Sequence, residues 1–373
     1  MIMNIFFLVR TLDLKKGGGS HFNAVAQIRL FRSLGHSVEV HTFREDINNP
    51  PEDISIIKHS CGNLGFLMDK KEVEEILKSH EAKFDIFFLY GVDFLYGGGL
   101  YRKNGGTKPV AVYLDTYLAS MSVLTEHPPF YRLKRKIWDM FFGLTLAQHV
   151  DKYFSVSPYI KKRYIDLGFP KDQFDIFPNF FSLPKKRKNL LSSRVSKVKM
   201  LYVGRLTFDK GIDMLLHALY GLKNYSWELH IVGDGPLKEW STEFVKKNKL
   251  CNRVFFTGWV DQKCLPEIYT KANLFVHPAR WPEPFGRTVV EALLHNVPVI
   301  VPEEGGSAWI AGPAGLTFKN GDIDDLTRIL ENSFRNPAQL AEYALLSLDT
   351  VVRFSEVDVS ENIKISLENL RSL

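Results

Sequence analysis

The sequence predicts an α/β protein of two successive halves, each built on a largely parallel sheet, and three observations carry that expectation. Short apolar runs alternate with longer amphipathic stretches along the chain, the pattern of βαβ units. The alternation starts afresh beyond residue 183, after a polar, basic, serine-rich stretch, SLPKKRKNLLSSRVSK, with the composition of a linker. The length, 373 residues, fits two domains.

The first half opens with MIMNIFFLVR. Its apolar run meets Arg10 too early for a spanning helix and lacks the cleavage site of a signal peptide, so it reads as a first buried strand. SVEVHTF, DIFFLYG, PVAVYLD and KYFSVS follow as strands, with HFNAVAQIRLFRSLG and KKEVEEILKSH as helices between them. In the second half KMLYVGRL, ELHIVGDG, RVFFTGWV, LFVHPA and PVIVPE are strands, and GIDMLLHALYGL, KEWSTEFVKKN, CLPEIYTKA and TVVEALLHN are helices. DIDD near residue 322 reads as a helix start. The last helical stretch, VDVSENIKISLENL, has no strand after it to extend its own sheet. The expected domains are therefore 1–183 and 184–355, with 356–373 as a terminal helix crossing back to the first.

A composition 45% hydrophobic and 24% charged excludes a disordered chain. A net charge of +6 permits anionic partners, whether phosphate esters, nucleic acid or an acidic lipid surface, without choosing among them. Cys61, Cys251 and Cys264 form neither a metal spacing nor a disulfide framework, which fits a reducing compartment and a cytoplasmic location. His21, His127, His277 and His295 share no metal spacing either.

Ligands of open α/β sheets bind beyond the carboxyl ends of the strands, so the strand-to-helix turns are where chemistry is sought. VGRLTFDKGIDMLL sets Gly204, Arg205 and Lys210 in one such turn. A fork donor and a point cation suit a diphosphate, against the plainer reading of a solvated basic loop. IVGDGPL places Gly233 and Gly235 in a tight turn before Pro236.

RWPEPFGRTVVEALLHNVPVIVP is the richest stretch. Pro284 and Gly286 delay its helix to about Arg287 or Thr288, presenting the amides of Phe285, Gly286 and Arg287 to an anion. Glu291, one turn inside, is placed for two ribose hydroxyls, and Glu283 for a sugar on the phosphate; the plain alternative is a local cap and a solvated carboxylate. LKKGGGSHFNAV brings Gly17, Gly18 and Gly19 to the first strand-to-helix turn, but without the G-x-G-x-x-G spacing, which disfavours a nicotinamide or flavin enzyme. PPFYRLKRKIWDMFFGL, residues 128–144, interleaves Arg132, Lys134, Arg135 and Lys136 with aromatics. It suits an anionic bilayer surface, or else a core helix with a wet basic face.

In this order the motifs resemble a GT-B fold glycosyltransferase of family four, the group 1 glycosyl transferases. The residues that carry the resemblance are Gly17-Gly18-Gly19, GHSVEV, VGRLTFDKGID, IVGDGP, FTGWV and PEPFGRTVVEALLHNVPVIV, spanning nearly the whole chain. The resemblance implies two Rossmann-like domains whose parallel sheets face across a cleft and close over the donor. It implies that Arg205 and Lys210 hold the diphosphate of a UDP- or GDP-type nucleotide sugar, Glu291 the ribose and Glu283 the transferred hexose. Gly258 would lie near the base, and Gly18 and Gly19 near the donor phosphate or acceptor. Gly204, Gly233, Gly235, Pro284, Phe285, Gly286, Arg287 and Thr288 complete the donor-binding set. Where many relatives carry a His near the reaction centre, this chain has Leu114 and Asp115, and Asp115 is its candidate substitute.

The implied reaction retains anomeric configuration by front-face attack, with positive charge stabilising the leaving diphosphate, and calls for neither metal nor cofactor. The acceptor is expected to be a glycan or a lipid-linked carbohydrate, in cell-surface glycan or polysaccharide synthesis, met at the inner face of the membrane where 128–144 makes contact. A nucleotide-sugar epimerase or hydrolase of the same fold is the alternative within enzymes. Nucleic acid is not an expected partner, since no recognisable nucleic-acid module accompanies the basic residues.

Overall fold

The computed structural model describes residues 2–13, 19–43, 50–59, 70–118, 129–183 and 197–372. The chain divides into two compact units, one of residues 1–181 with 356–373 and one of 182–355. The terminal helix Glu356–Arg371 thus belongs to the first unit, where Ser366 Oγ donates to Asp175 Oδ2 at 2.7 Å and Val359, Ile363, Leu367 and Leu370 are buried.

Among the described residues the first unit holds seven strands: β1 (Asn4–Val9), β2 (Ser37–Thr42), β3 (Ile56–Lys58), β4 (Ile86–Tyr90), β5 (Val110–Leu114), β6 (Lys152–Ser155) and β7 (Phe174–Ile176). They lie in the order β3-β2-β1-β4-β5-β6-β7, and every pairing is parallel. IFFLY in β4 and VAVYL in β5 are buried throughout, because a parallel sheet covered by helices has no wet face. Phe7 lies opposite Phe88 across β1 and β4, their rings stacked at 5.2 Å.

The second unit holds six among the described residues: β8 (Val198–Val203), β9 (Trp227–Val232), β10 (Val254–Gly258), β11 (Leu274–Val276), β12 (Val299–Pro302) and β13 (Gly315–Phe318), in the order β10-β9-β8-β11-β12-β13 and again all parallel. In both sheets the strand order reverses once, between β1 and β4 and between β8 and β11. Such switch points open crevices at the carboxyl ends of the strands, and they position everything that follows.

Candidate functional site

In the second unit the turn after β8 carries Arg205 and Lys210, and the turn after β11 carries Glu283. These are the two strands that flank the switch point. The turns after β8, β9 and β10 are laced by backbone hydrogen bonds. Gly204 N–H donates to Val232 O at 3.0 Å, Leu206 N–H to Asp234 O at 2.9 Å, and Gly233 N–H to Gly258 O at 2.8 Å. Gly233 has φ 135°, and a Cβ there would stand 1.9 Å from the Gly204 carbonyl oxygen, so only glycine allows the two turns to touch. The Tyr202 hydroxyl donates to the Arg205 carbonyl at 2.7 Å, fixing the backbone while the Arg205 side chain stays exposed.

Lys210 ends a short 3-10 turn, Phe208–Lys210, and its Nζ donates to Glu283 Oε1. His277 Nε2 lies 3.4 Å from the same carboxylate oxygen. Burial alone would raise the Glu283 carboxyl, but the Lys210 ammonium and His277 outweigh it and hold the group well below the usual carboxylate range. The two turns are clamped a second time. Arg280 donates to both oxygens of Asp213 at 2.6 Å, and its guanidinium lies over the Phe208 ring at 4.0 Å. Gly211, at φ 68°, lets the chain pass under this clamp, where a Cβ would meet the Pro278 carbonyl oxygen at 1.9 Å.

The helix after this turn runs Arg287–Leu294, starting where Pro284 and Gly286 allow; Gly286 is its N-cap, and among the described residues no side chain caps it. Glu291 is held from both sides: Tyr269 donates to Oε2 at 3.0 Å and Arg287 Nε to Oε1 at 3.0 Å. Each carboxylate oxygen retains a lone pair for a further donor. The Tyr269 hydroxyl also reaches the Thr288 carbonyl at 3.4 Å. The Glu283 carbonyl accepts from Gly306 N–H at 2.7 Å, so a third turn, after β12, packs on the same loop. Ser307, in the following helix Gly306–Ala311, is fully buried and its hydroxyl has no hydrogen-bond partner among the described residues.

The structure therefore gathers Gly204, Arg205, Lys210, Gly233, Gly235, Gly258, Glu283, Pro284, Gly286, Arg287, Thr288 and Glu291 onto the carboxyl-end turns and adjoining helix of one sheet. Phe285 differs from the rest. Its side chain is buried against Trp309 and Phe354, with ring centroids 6.3 and 5.5 Å away, so only its backbone is open to a ligand. His277, Arg280, Asp213, Tyr269 and Ser307 were not singled out as donor-site residues by the sequence; Asp213 and Arg280 lie inside two of the quoted stretches, each three residues from Lys210 or Glu283, whereas Tyr269 and Ser307 are more than ten residues from any site residue read there.

In the first unit a pocket of about 240 Å³ opens at the β1/β4 switch point, lined by Arg10, Ser20, His21, Tyr90, Asp93 and Asp115 among others. Ser20 Oγ donates to Asp115 Oδ2 at 2.5 Å, and Arg10 Nη1 lies 3.4 Å from Asp93 Oδ2. Burial raises both carboxyls; Asp115 is raised further by Asp93, while Ser20 and Arg10 oppose the shift at their respective partners. Gly19 is the first residue of the helix Gly19–Ser33 on this rim, and Gly17 and Gly18 lie outside the described residues.

The basic-aromatic segment forms a helix, Pro129–Trp138, continued by a π-helical turn, Asp139–Gly143. Asp139 is buried and accepts from the Tyr96 hydroxyl at 2.7 Å, fixing one side of it. On another side Phe130, Leu133, Ile137, Phe141 and Phe142 are exposed, Phe130 by 78% and Phe141 by 63%. Lys134 is exposed; the side chains of Arg132, Arg135 and Lys136 lie outside the described ones, as does residue 128. Among the described residues no helix is long and apolar enough to cross a membrane.

Two Rossmann-like parallel-sheet units in one chain define the GT-B class of glycosyltransferase fold. The lipopolysaccharide outer core galactosyltransferase WaaB matches with a TM-score of 0.78 over 98% of this chain and 99% of its own, at 19% identity. Anabaena HepE in complex with UDP-glucose matches with a TM-score of 0.72 over 98% and 100%, at 20% identity. Within that class the chain belongs to glycosyltransferase family four: the family model "Glycosyltransferase Family 4" matches residues 17–183 and "Glycosyl transferases group 1" matches residues 185–344. Among curated proteins it is similar to an uncharacterized 41.2 kDa protein in the cps region of Klebsiella pneumoniae, 28% identical over 53% of this chain and 55% of that protein. It is similar also to protein CapJ of Staphylococcus aureus, 28% identical over 60% and 56%. The chain spans about half the length of the curated relatives it matches.

Proposed function

We propose that this protein transfers a hexose from a UDP- or GDP-type nucleoside diphosphate sugar to a glycan or lipid-linked acceptor, with retention of configuration, in cell-surface glycan or polysaccharide synthesis. The observation that carries the reading is the Lys210–Glu283 pair, set at the switch point beside the uncapped start of the helix Arg287–Leu294. A carboxylate held ionised by an ammonium can accept hydroxyl hydrogen bonds from a sugar. The same ammonium, with Arg205 and the helix dipole, can offset the charge of a diphosphate.

In this reading Glu291, oriented by Tyr269 and Arg287, accepts from the ribose hydroxyls, and Glu283 accepts from the hexose. As the bond between the anomeric carbon and the diphosphate oxygen breaks, negative charge grows on the leaving group; Arg205, Lys210 and the helix amides meet it without reorganising. Ser307, whose Cβ packs on Gly286 at the same helix start, supplies one more donor. Asp115 and Ser20 in the first unit's pocket bind the acceptor hydroxyl. Charge from the protein does the electrostatic work, and no metal is assigned to the step. The exposed aromatic face of 129–142 docks on an anionic bilayer, where lipid-linked acceptors are met.

The names of the relatives from a cps region and of CapJ support a role in surface glycans, and the UDP-glucose bound to HepE supports a UDP-type donor. A panel of nucleoside diphosphate sugars tested by thermal shift identifies the donor, since a ligand that binds only the folded state raises apparent stability. Incubation of the stabilising donor without and then with acceptors decides the reaction. Sugar isomerisation or hydrolysis that no acceptor diverts would replace this reading with the epimerase or hydrolase alternative.

A further inference from the structure

Away from the turns described above, three histidines from separate stretches of chain converge at one edge of the first sheet. His41 lies in β2, His59 directly follows β3, and His80 ends the helix Lys70–His80. One ring nitrogen of each lies within 4.8 Å of the others. His41 Nδ1 stands 2.9 Å from His59 Nε2. The His41 and His59 rings are stacked, with centroids 5.1 Å apart, and His80 meets both edge-on.

The outward side of the rings distinguishes this group from a simple stack. His41 Nε2 lies 3.1 Å from Oε1 of the Glu39 carboxylate, whose Oε2 is ion-paired to Lys83 Nζ. An ionised carboxylate only accepts, so His41 Nε2 carries the proton and Nδ1 keeps a lone pair directed at the cluster. His80 Nδ1 lies 2.8 Å from the Ile76 carbonyl, which also only accepts, leaving His80 Nε2 with the lone pair. Ligating histidines are oriented in this way, through an outer N–H bound to a carboxylate or a backbone carbonyl.

We propose that His41 Nδ1, His59 Nε2 and His80 Nε2 bind a divalent transition-metal ion, zinc foremost, with solvent in the fourth position. Three neutral imidazoles suit zinc, and bonds of about 2.0–2.1 Å in a tetrahedron put ligand nitrogens about 3.4 Å apart. The His41–His59 pair opens by roughly half an ångström to reach this, and the other separations start from no more than 4.8 Å. His59 now donates from Nε2 to His41; on binding, that proton moves to Nδ1 and the lone pair turns to the metal. Both His59 and His80 are only partly buried, which gives their rings room for the adjustment and gives the ion a way in. The ion ties β2, the exit of β3 and a helix end together. β3 is three residues long, mostly exposed and at the edge of its sheet, so it is the strand with least else to hold it. The role is structural and independent of glycosyl transfer.

The test uses the full chain, stripped with a chelator and titrated with Zn²⁺ or Co²⁺. Elemental analysis is expected to find one ion per chain, cobalt to give the visible absorption of a tetrahedral site, and excess zinc to raise Tm by on the order of 5 °C. His59→Gln, His80→Gln and their combination are expected to lose the ion, the absorption and the shift, while keeping stabilisation by a nucleoside diphosphate. His41 is left intact because it is buried against Phe6 at 3.8 Å. X-ray absorption on the zinc-loaded wild type is expected to show an imidazole-dominated shell, a result that needs no variant. No stoichiometric uptake, equal uptake by the double variant, or an oxygen-dominated shell would each overturn the proposal and leave a hydrogen-bonded histidine stack.

Discussion

Arg280 grips Asp213 through two 2.6 Å hydrogen bonds, across 67 residues of sequence, and so ties the turn after β11 to the start of the helix after β8. Lys210 and Glu283 sit on the two sides of that tie. Arg280→Ala is therefore expected to lower kcat/KM at least tenfold by letting the pair drift, and Arg280→Lys to recover only part of it, since an ammonium cannot span both carboxylate oxygens. Initial rates over a donor series check this. Full recovery by lysine would mean that charge alone matters at 280.

Lys210→Ala strands a carboxylate that is only 12% exposed. Removing one partner of such a pair costs about 3–5 kcal/mol, whereas removing both is far milder. Urea unfolding is expected to find Lys210→Ala markedly less stable than wild type, and Lys210→Ala with Glu283→Gln closer to it. Both variants are expected to turn over at least tenfold more slowly, because the charge at the diphosphate is gone. Additive losses of stability would show that the two residues do not interact.

Calorimetry separates the carboxylates. Glu291→Ala is expected to weaken binding of the bare nucleoside diphosphate by tenfold or more, and Tyr269→Phe by less, since Arg287 still orients Glu291. Glu283→Ala is expected to spare the bare diphosphate and weaken only the sugar-bearing donor. Equal losses on the bare diphosphate would remove the distinction.

Asp115 titrates above its unfolded value of about 3.9, raised by burial and by Asp93. Its contribution to stability is thus fully present below that value and is lost as pH rises through the folded one. Asp115→Asn, which keeps an acceptor for Ser20, is expected to melt on the order of 3 °C higher at pH 7 and no higher near pH 3, while losing most activity. Melting curves across pH check the sign; a gain at pH 3 alone would reverse it.

Vesicle co-sedimentation tests the 129–142 face. Binding to anionic vesicles is expected to fall when Phe130 and Phe141 are changed to Ser, and to fall further with Lys134→Gln, each cation near such a surface contributing about 1 kcal/mol. Binding that ignores all three substitutions would make the exposed aromatics something other than a lipid face.

The long apolar runs were legible because a strand buried on both faces has no room for polar residues: NIFFLV, IFFLY and VAVYL announce themselves. β3, β7 and β13 do not, since IIK, FDI and GLTF are short edge strands whose pairing comes from their neighbours. Arg205, Lys210, Glu283 and Glu291 were legible through the glycines and prolines that shape their turns. Asp213 with Arg280 and the trio of His41, His59 and His80 were not, because each joins residues far apart in sequence and leaves no local spacing to read. Phe285 sits in a motif otherwise open to ligand, and only packing shows that its ring turns inward.

The first unit is discontinuous: its closing helix, Glu356–Arg371, is encoded after the whole of the second. A ribosome adding roughly 5–20 residues per second leaves the seat of that helix uncovered for on the order of ten seconds after β7 emerges. Asp175, which will accept from Ser366, meanwhile has Lys152 at 2.7 Å to hold it, so the seat keeps its charge balanced while it waits. The described strands of the second unit lie in one uninterrupted stretch, so that unit can complete itself first. Order of synthesis and order of folding are thereby uncoupled, and the half made earliest is the half finished last.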